Sequence, residues 1–132
     1  MDATTEKTIQ ALIATAWADG RVGDDEQEVI ETLLDAYGVM GDDAGRIREW
    51  AKTRRSLDQL DFGGLAEVDK VLLLQQAVFV TYIDGVQTDE ELKLLHELGR
   101  KLALDQSRAN ELIRTTTARA KARYEEERAA AH

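Results

Sequence analysis

Two short stretches of this chain set carboxylates around an Asp-Gly turn: Trp17-Ala18-Asp19-Gly20-Arg21-Val22-Gly23-Asp24-Asp25-Glu26 and Tyr82-Ile83-Asp84-Gly85-Val86-Gln87-Thr88-Asp89-Glu90-Glu91. Each reads aromatic-x-Asp-Gly-x-x-x-Asp-acid-Glu. Carboxylate oxygens spaced along a short loop suit a hard divalent cation. Asp19 with Glu26, and Asp84 with Glu91, are therefore the candidate metal ligands, for Ca²⁺, Mg²⁺, Mn²⁺ or Zn²⁺. A structural role competes with this one. Thr88 followed three residues later by Glu91 is a capping box, and acids at 89–91 sit where a helix dipole favours negative charge. Gly23 to Glu26 is a weaker version of the same start. Asp19 and Asp84 are different, because each follows the end of an apolar helical pattern and faces the negative pole of that helix. Each needs an Asx-type turn or a cation to offset its charge.

An EF-hand is a poor fit. Asp19 to Glu26 matches the end of such a loop, but its first two ligand positions would be Thr15 and Trp17, and in the second stretch Val80 and Tyr82. Other chemistry is thinner still. His96 stands on a Leu-rich helical pattern without an accompanying nucleophile, and Gly63-Gly64 lacks the Lys-Ser/Thr of a phosphate loop. The chain has no cysteine, which excludes thiolate ligands, Cys nucleophiles and disulfides. The expectation is a non-enzymatic protein.

The 132 residues carry a formal charge of −9, 43% hydrophobic and 33% charged residues, and no proline. That is the composition of one amphipathic, helix-rich globular domain. Residues 1–51 hold 12 acids and 4 bases, and the rest hold 14 and 13. An acidic surface repels phosphates and anionic lipid, so nucleic acid and membrane are not expected partners. A protein partner is expected, and the acidic first half with the bases Arg114, Arg119, Lys121 and Arg123 also permits a homo-oligomer. The apolar run Val71–Val80 is broken by Gln75-Gln76 and is far short of the ~20 residues needed to cross a bilayer. With no signal-peptide pattern at the N-terminus, a cytoplasmic location is expected.

The elements that must position the acids are set by helical periodicity. Helices are predicted at about 3–18, from 24 to about 37, from an Asp42 N-cap onward, at 65–83, from 88 to about 102, and from 105 or 107 to about 127. Ser56 to Leu60 reads as a short helical connector. The 65–83 helix is apolar on nearly every side and is predicted to be central and buried. Residues 118–132 carry few core residues and are expected to project or fray. Asp84 follows Asp19 by 65 residues, and at that offset Trp17 falls on Tyr82, Gly20 on Gly85, Asp24 on Asp89, Ile30 on Leu95 and Leu33 on Leu98. The fold class predicted is all-α: a compact bundle of six or seven helices in two pseudo-twofold-related halves, about 1–64 and 65–117, with a C-terminal extension at about 118–132.

The Asp-Gly turns resemble those of the tellurite-resistance protein B (TerB-like) family, in which a helix ending in Ala-Asp-Gly is followed by a hydrophobic residue, a polar helix start and a Glu-rich turn, twice in one helical domain. Trp17-Ala18-Asp19-Gly20-Arg21-Val22 with Glu26 is a close match. In the second copy Ile83 replaces the Ala and Gln87 stands where a hydrophobic residue is expected. The resemblance runs to about residue 117. It implies a helical bundle with a metal-binding acidic surface at Asp19, Glu26, Asp84 and Glu91, and a role in stress response, phage defence or co-chaperone systems.

Overall fold

The chain, as a computed structural model, is described at residues 1–17, 24–53, 56–82 and 87–131, with the backbone alone at 24–26. These residues form six α-helices, one 3₁₀ turn and no strand. The helices are α1 (Ala3–Trp17), α2 (Asp24–Ala36), α3 (Gly41–Ala51), α4 (Glu67–Thr81), α5 (Asp89–Lys101) and α6 (Gln106–Ala130). The all-α expectation therefore holds. Among the described residues no helix is long and apolar enough to cross a membrane.

The chain divides into two compact units, Met1–Phe62 and Gly63–His132. In the first, α1 packs on α2, α3 and the 3₁₀ turn, and α2 packs on α3. The core of α1 is wider than one face, since Ile9, Ala11, Leu12, Ile13, Ala14 and Thr15 are all buried. The buried Thr15 satisfies its hydroxyl by donating to the Ala11 carbonyl at 2.9 Å. The 3₁₀ turn (Leu57–Gln59) is fixed by a capping box in which the Ser56 N–H donates to Gln59 Oε1 at 2.9 Å, and this holds the buried Leu57 in place.

In the second unit α4, α5 and α6 pack on one another. The structure corrects the expectation that α4 is buried on nearly every side. Leu73, Leu74, Ala77, Val78 and Thr81 are buried, but Val68 is 63% exposed and Leu72 is 49% exposed. Those two lie one turn apart on a stripe that continues to the exposed Gln76, so two neighbouring helices cover only part of the cylinder. α6 continues to Ala130. It stays packed to Ala120, which is buried, and the Arg123 guanidinium lies 5.9 Å from the centre of the Phe79 ring on α4.

The repetition read from the sequence extends to the helix boundaries. α1 and α4 have 15 residues each, and α2 and α5 have 13 each. α2 opens at Asp24 and α5 at Asp89; α3 opens at Gly41 and α6 at Gln106. The buried residues correspond as well: Ile9 with Leu74, Ile13 with Val78, Ile30 with Leu95, Leu33 with Leu98, Ala44 with Ala109.

The strongest correspondence lies where the second helix of each unit ends. After α2 the Gly38 N–H donates to the Asp35 carbonyl at 3.1 Å and the Val39 N–H to the Leu34 carbonyl at 2.9 Å. After α5 the Ala103 N–H donates to Arg100 at 2.9 Å and the Leu104 N–H to Gly99 at 3.2 Å. Both are Schellman caps, with Val39 and Leu104 buried as the apolar residues just past the cap. The cap residue is left-handed in both, at φ 67° for Gly38 and 56° for Ala103. These reversals also decide where the third helix begins. In the first unit the N-cap is Met40, which makes no side-chain cap bond, so the Asp42 expected there stands inside the first turn. In the second, Asp105 is the N-cap and accepts the Arg108 N–H at 3.2 Å.

An alanine in the left-handed region is strained by its Cβ. Ala103→Gly is expected to raise unfolding free energy by about 0.5–1 kcal/mol, the steric relief less the added entropy of the unfolded chain. Gly38→Ala should lower it by a similar amount. Paired urea denaturation curves measure both, and equal midpoints for Ala103→Gly and the parent chain would contradict the strain.

Candidate functional site

Of the four candidate ligands, Asp19 and Asp84 lie outside the described residues. Glu26 lies on α2, and its side chain is outside them too. Glu91 is described, and its carboxylate closes the capping box at the start of α5. The Thr88 N–H donates to Glu91 Oε1 at 2.9 Å, and the Glu91 N–H donates to Thr88 Oγ1 at 3.1 Å. The residue is only 6% exposed. Burying a carboxylate carries a desolvation cost that such bonds offset, so the fold uses Glu91 to start a helix.

Gln87 stands where the sequence departs from the pattern of the first turn, and the departure has a structural reason. Its amide Nε2 donates to Thr81 Oγ1 at 3.0 Å, and that hydroxyl donates to the Val78 carbonyl at 2.6 Å. The buried Thr81 thus joins the last turn of α4 to the residue just before the cap of α5. A hydrophobic side chain at 87 would leave this link unmade. Among the described residues no group of three or more His, Cys, Asp or Glu is placed to hold a metal ion.

A second feature was not singled out in the sequence. Between α2 and α3 runs an open groove of about 600 Å³. Its α2 wall is a stripe at i, i+3 and i+7: Glu28, Glu31 and Asp35, all exposed. Ala44 and Arg48 form the α3 wall, the buried Leu34 and Val39 contribute apolar surface, and Met40 stands at one end, 79% exposed. Arg48 crosses from α3 to α2 as a two-pronged fork, with Nε at 2.9 Å from Glu31 Oε2 and a terminal nitrogen at 2.8 Å from Oε1. The Arg48 hydrogen bonds hold the Glu31 carboxyl below its ordinary pKa, and Glu31 in turn raises the guanidinium. Glu31 thus stays ionised with its charge balanced by Arg48, while Glu28 and Asp35 have no ion-pair partner among the described residues.

The equivalent surface of the second unit differs in shape and sign. Lys93, His96 and Arg100 occupy the positions of Glu28, Glu31 and Asp35. Gly99 stands where the first unit has Leu34, and a Cβ there would lie 3.2 Å from the Ala109 Cβ on α6. The α5 and α6 backbones approach closely at this point, whereas in the first unit Leu34 lines an open groove. His96 is half-buried on α5. The acidic stripe of α2 was readable from its i, i+3, i+7 spacing. The exposure of Met40 was not, because it depends on the cap at Gly38.

Removing one half of the capping box should be measurable. Thr88→Ala is expected to cost about 1 kcal/mol in chemical denaturation. Glu91→Gln should cost less, because the amide oxygen can still accept the Thr88 N–H. A loss from Glu91→Gln larger than that from Thr88→Ala would mean that the charge of Glu91 does more than cap.

No protein-family model matches the chain, and no curated protein or solved structure matches it either. The resemblance to the TerB-like family accordingly stands on the residues of the two Asp-Gly turns.

Proposed function

We propose that this chain is a non-enzymatic helical module that acts by binding protein partners through the α2–α3 groove, in a stress or defence response of the kind the TerB-like resemblance implies. The groove supports this reading: an exposed Met40 at one end and, along one continuous wall, two carboxylates without ion-pair partners among the described residues. A methionine exposed at the end of a groove is an adaptable contact for another chain. A photoreactive amino acid in place of Met40 is expected to form adducts in cells with a small set of proteins. Glu28→Lys/Asp35→Lys in the same chain should remove those adducts without changing its helical circular dichroism. Adducts indifferent to the charge reversal, or none, would refute the groove as the partner surface.

Cation binding at the Asp-Gly turns is a second reading, carried by the repeated spacing of the acids. Glu91 follows Asp84 by seven residues, as Glu26 follows Asp19. In this reading Asp19 with Glu26, and separately Asp84 with Glu91, supply oxygen ligands to a divalent cation. Titration calorimetry with Ca²⁺, Mg²⁺, Mn²⁺ and Zn²⁺ should give a dissociation constant below millimolar for one of them, lost in Asp19→Asn/Asp84→Asn. The reading fails if none of the four binds, or if that variant binds as the parent does.

A further inference from the structure

The groove also carries information about what it binds. Resting on the reading of the groove as a partner surface, we propose that its occupant is a basic amphipathic helix of another protein. Such a helix would carry Lys or Arg at two positions seven residues apart, with a large apolar side chain one turn beyond the one that meets Asp35.

Three observations lead there. Glu28 and Asp35 lie seven residues apart on α2, two turns or about 10 Å along the axis, so a helix lying alongside meets them with cations of the same spacing. The charge of Glu31, in the middle of that stripe, is already balanced by the Arg48 fork, so the central contact asks for no further charge. At that end of the groove where α3 begins, the exposed Met40 adjoins the buried Val39, which gives an apolar anchor somewhere to seat. Exposed ion pairs alone are weak, so the anchor is needed as well as the charges.

A second copy of this chain satisfies only half of the requirement. Lys93 and Arg100 on α5 have the right charge and spacing, but the residues one turn beyond them are the acidic Asp89 and the buried Leu104. On α6 the exposed residues among Arg114, Arg119 and Lys121 are threonine and alanine. Neither helix presents a large apolar side chain with its basic stripe.

The test uses the full-length chain and fluorescein-labelled, alanine-based peptides of about 20 residues, long enough to hold a helix in water. One peptide has Lys at i and i+7 with Leu at i+11; a second has Glu in place of Lys; a third has Ser in place of Leu. Fluorescence anisotropy at low ionic strength should show the first binding at least about tenfold more tightly than either of the others, the free-energy scale of two exposed ion pairs or one small apolar contact. Glu28→Lys/Asp35→Lys should weaken it by about tenfold or more, and Glu28→Gln/Asp35→Asn by a smaller factor. Met40→Ser should weaken the Leu peptide and leave the Ser peptide unchanged. Lys93→Glu/Arg100→Glu should have no effect.

Equal binding of the Lys and Glu peptides, or binding insensitive to the groove variants, overturns the proposal. So does concentration-dependent self-association that disappears in Lys93→Glu/Arg100→Glu, which would make a second copy the occupant. If the Lys peptide fails while charge-sensitive adducts form at position 40, the partner chemistry assigned to the groove is wrong and the groove reading stands. If both fail, the groove reading falls too.

Discussion

The left-handed residue after the second helix of each unit is the constraint on which the rest of the structure depends. With Gly38 and Ala103 at positive φ, two backbone hydrogen bonds turn the chain back within three residues, and the next apolar residue is driven into the core. The third helix must then begin almost at once, at Gly41 or Gln106. The surface of each unit is decided by where that reversal leaves the third helix against the second. In the first unit it opens a groove and leaves Met40 outside. In the second, Gly99 lets the two helices close.

The described residues on either side of Asp84-Gly85 are tied to their own helices and to each other. Gln87 bonds back to the end of α4 through Thr81, and Thr88 with Glu91 starts α5 only one residue later. A carboxylate used in this way serves the helix first. The stability of the first turn of α5 accordingly rests in part on this one side chain.

Much of the fold was legible in the sequence because helical period, glycine stops and the 65-residue repeat all agreed. The Thr88–Glu91 box was legible for the same local reason: it needs only residues three apart. The burial of α4 was read less well. Four consecutive leucine and valine positions satisfy every face of a helix, and only packing decides that Leu72 and Val68 face outward while Leu73 and Leu74 do not. Asp42 has the chemistry of a capping residue, but the preceding reversal starts α3 two residues earlier, with Met40 as its N-cap. As for the site, the acids of the turns stand out by type and spacing. The groove does not, since it arises from a difference between Leu34 and Gly99 that looks like an ordinary substitution between repeats.

The close approach at Gly99 also governs how the two units can change over generations. Around α5 and α6 a new side chain at that position meets the Ala109 methyl group, so variation there is judged by volume and is mostly rejected. Along α2 the exposed rim positions can trade one charge for another without disturbing anything buried beneath them. The two repeats therefore differ in what they tolerate: volume limits the α5–α6 face, while charge can vary along the rim of α2.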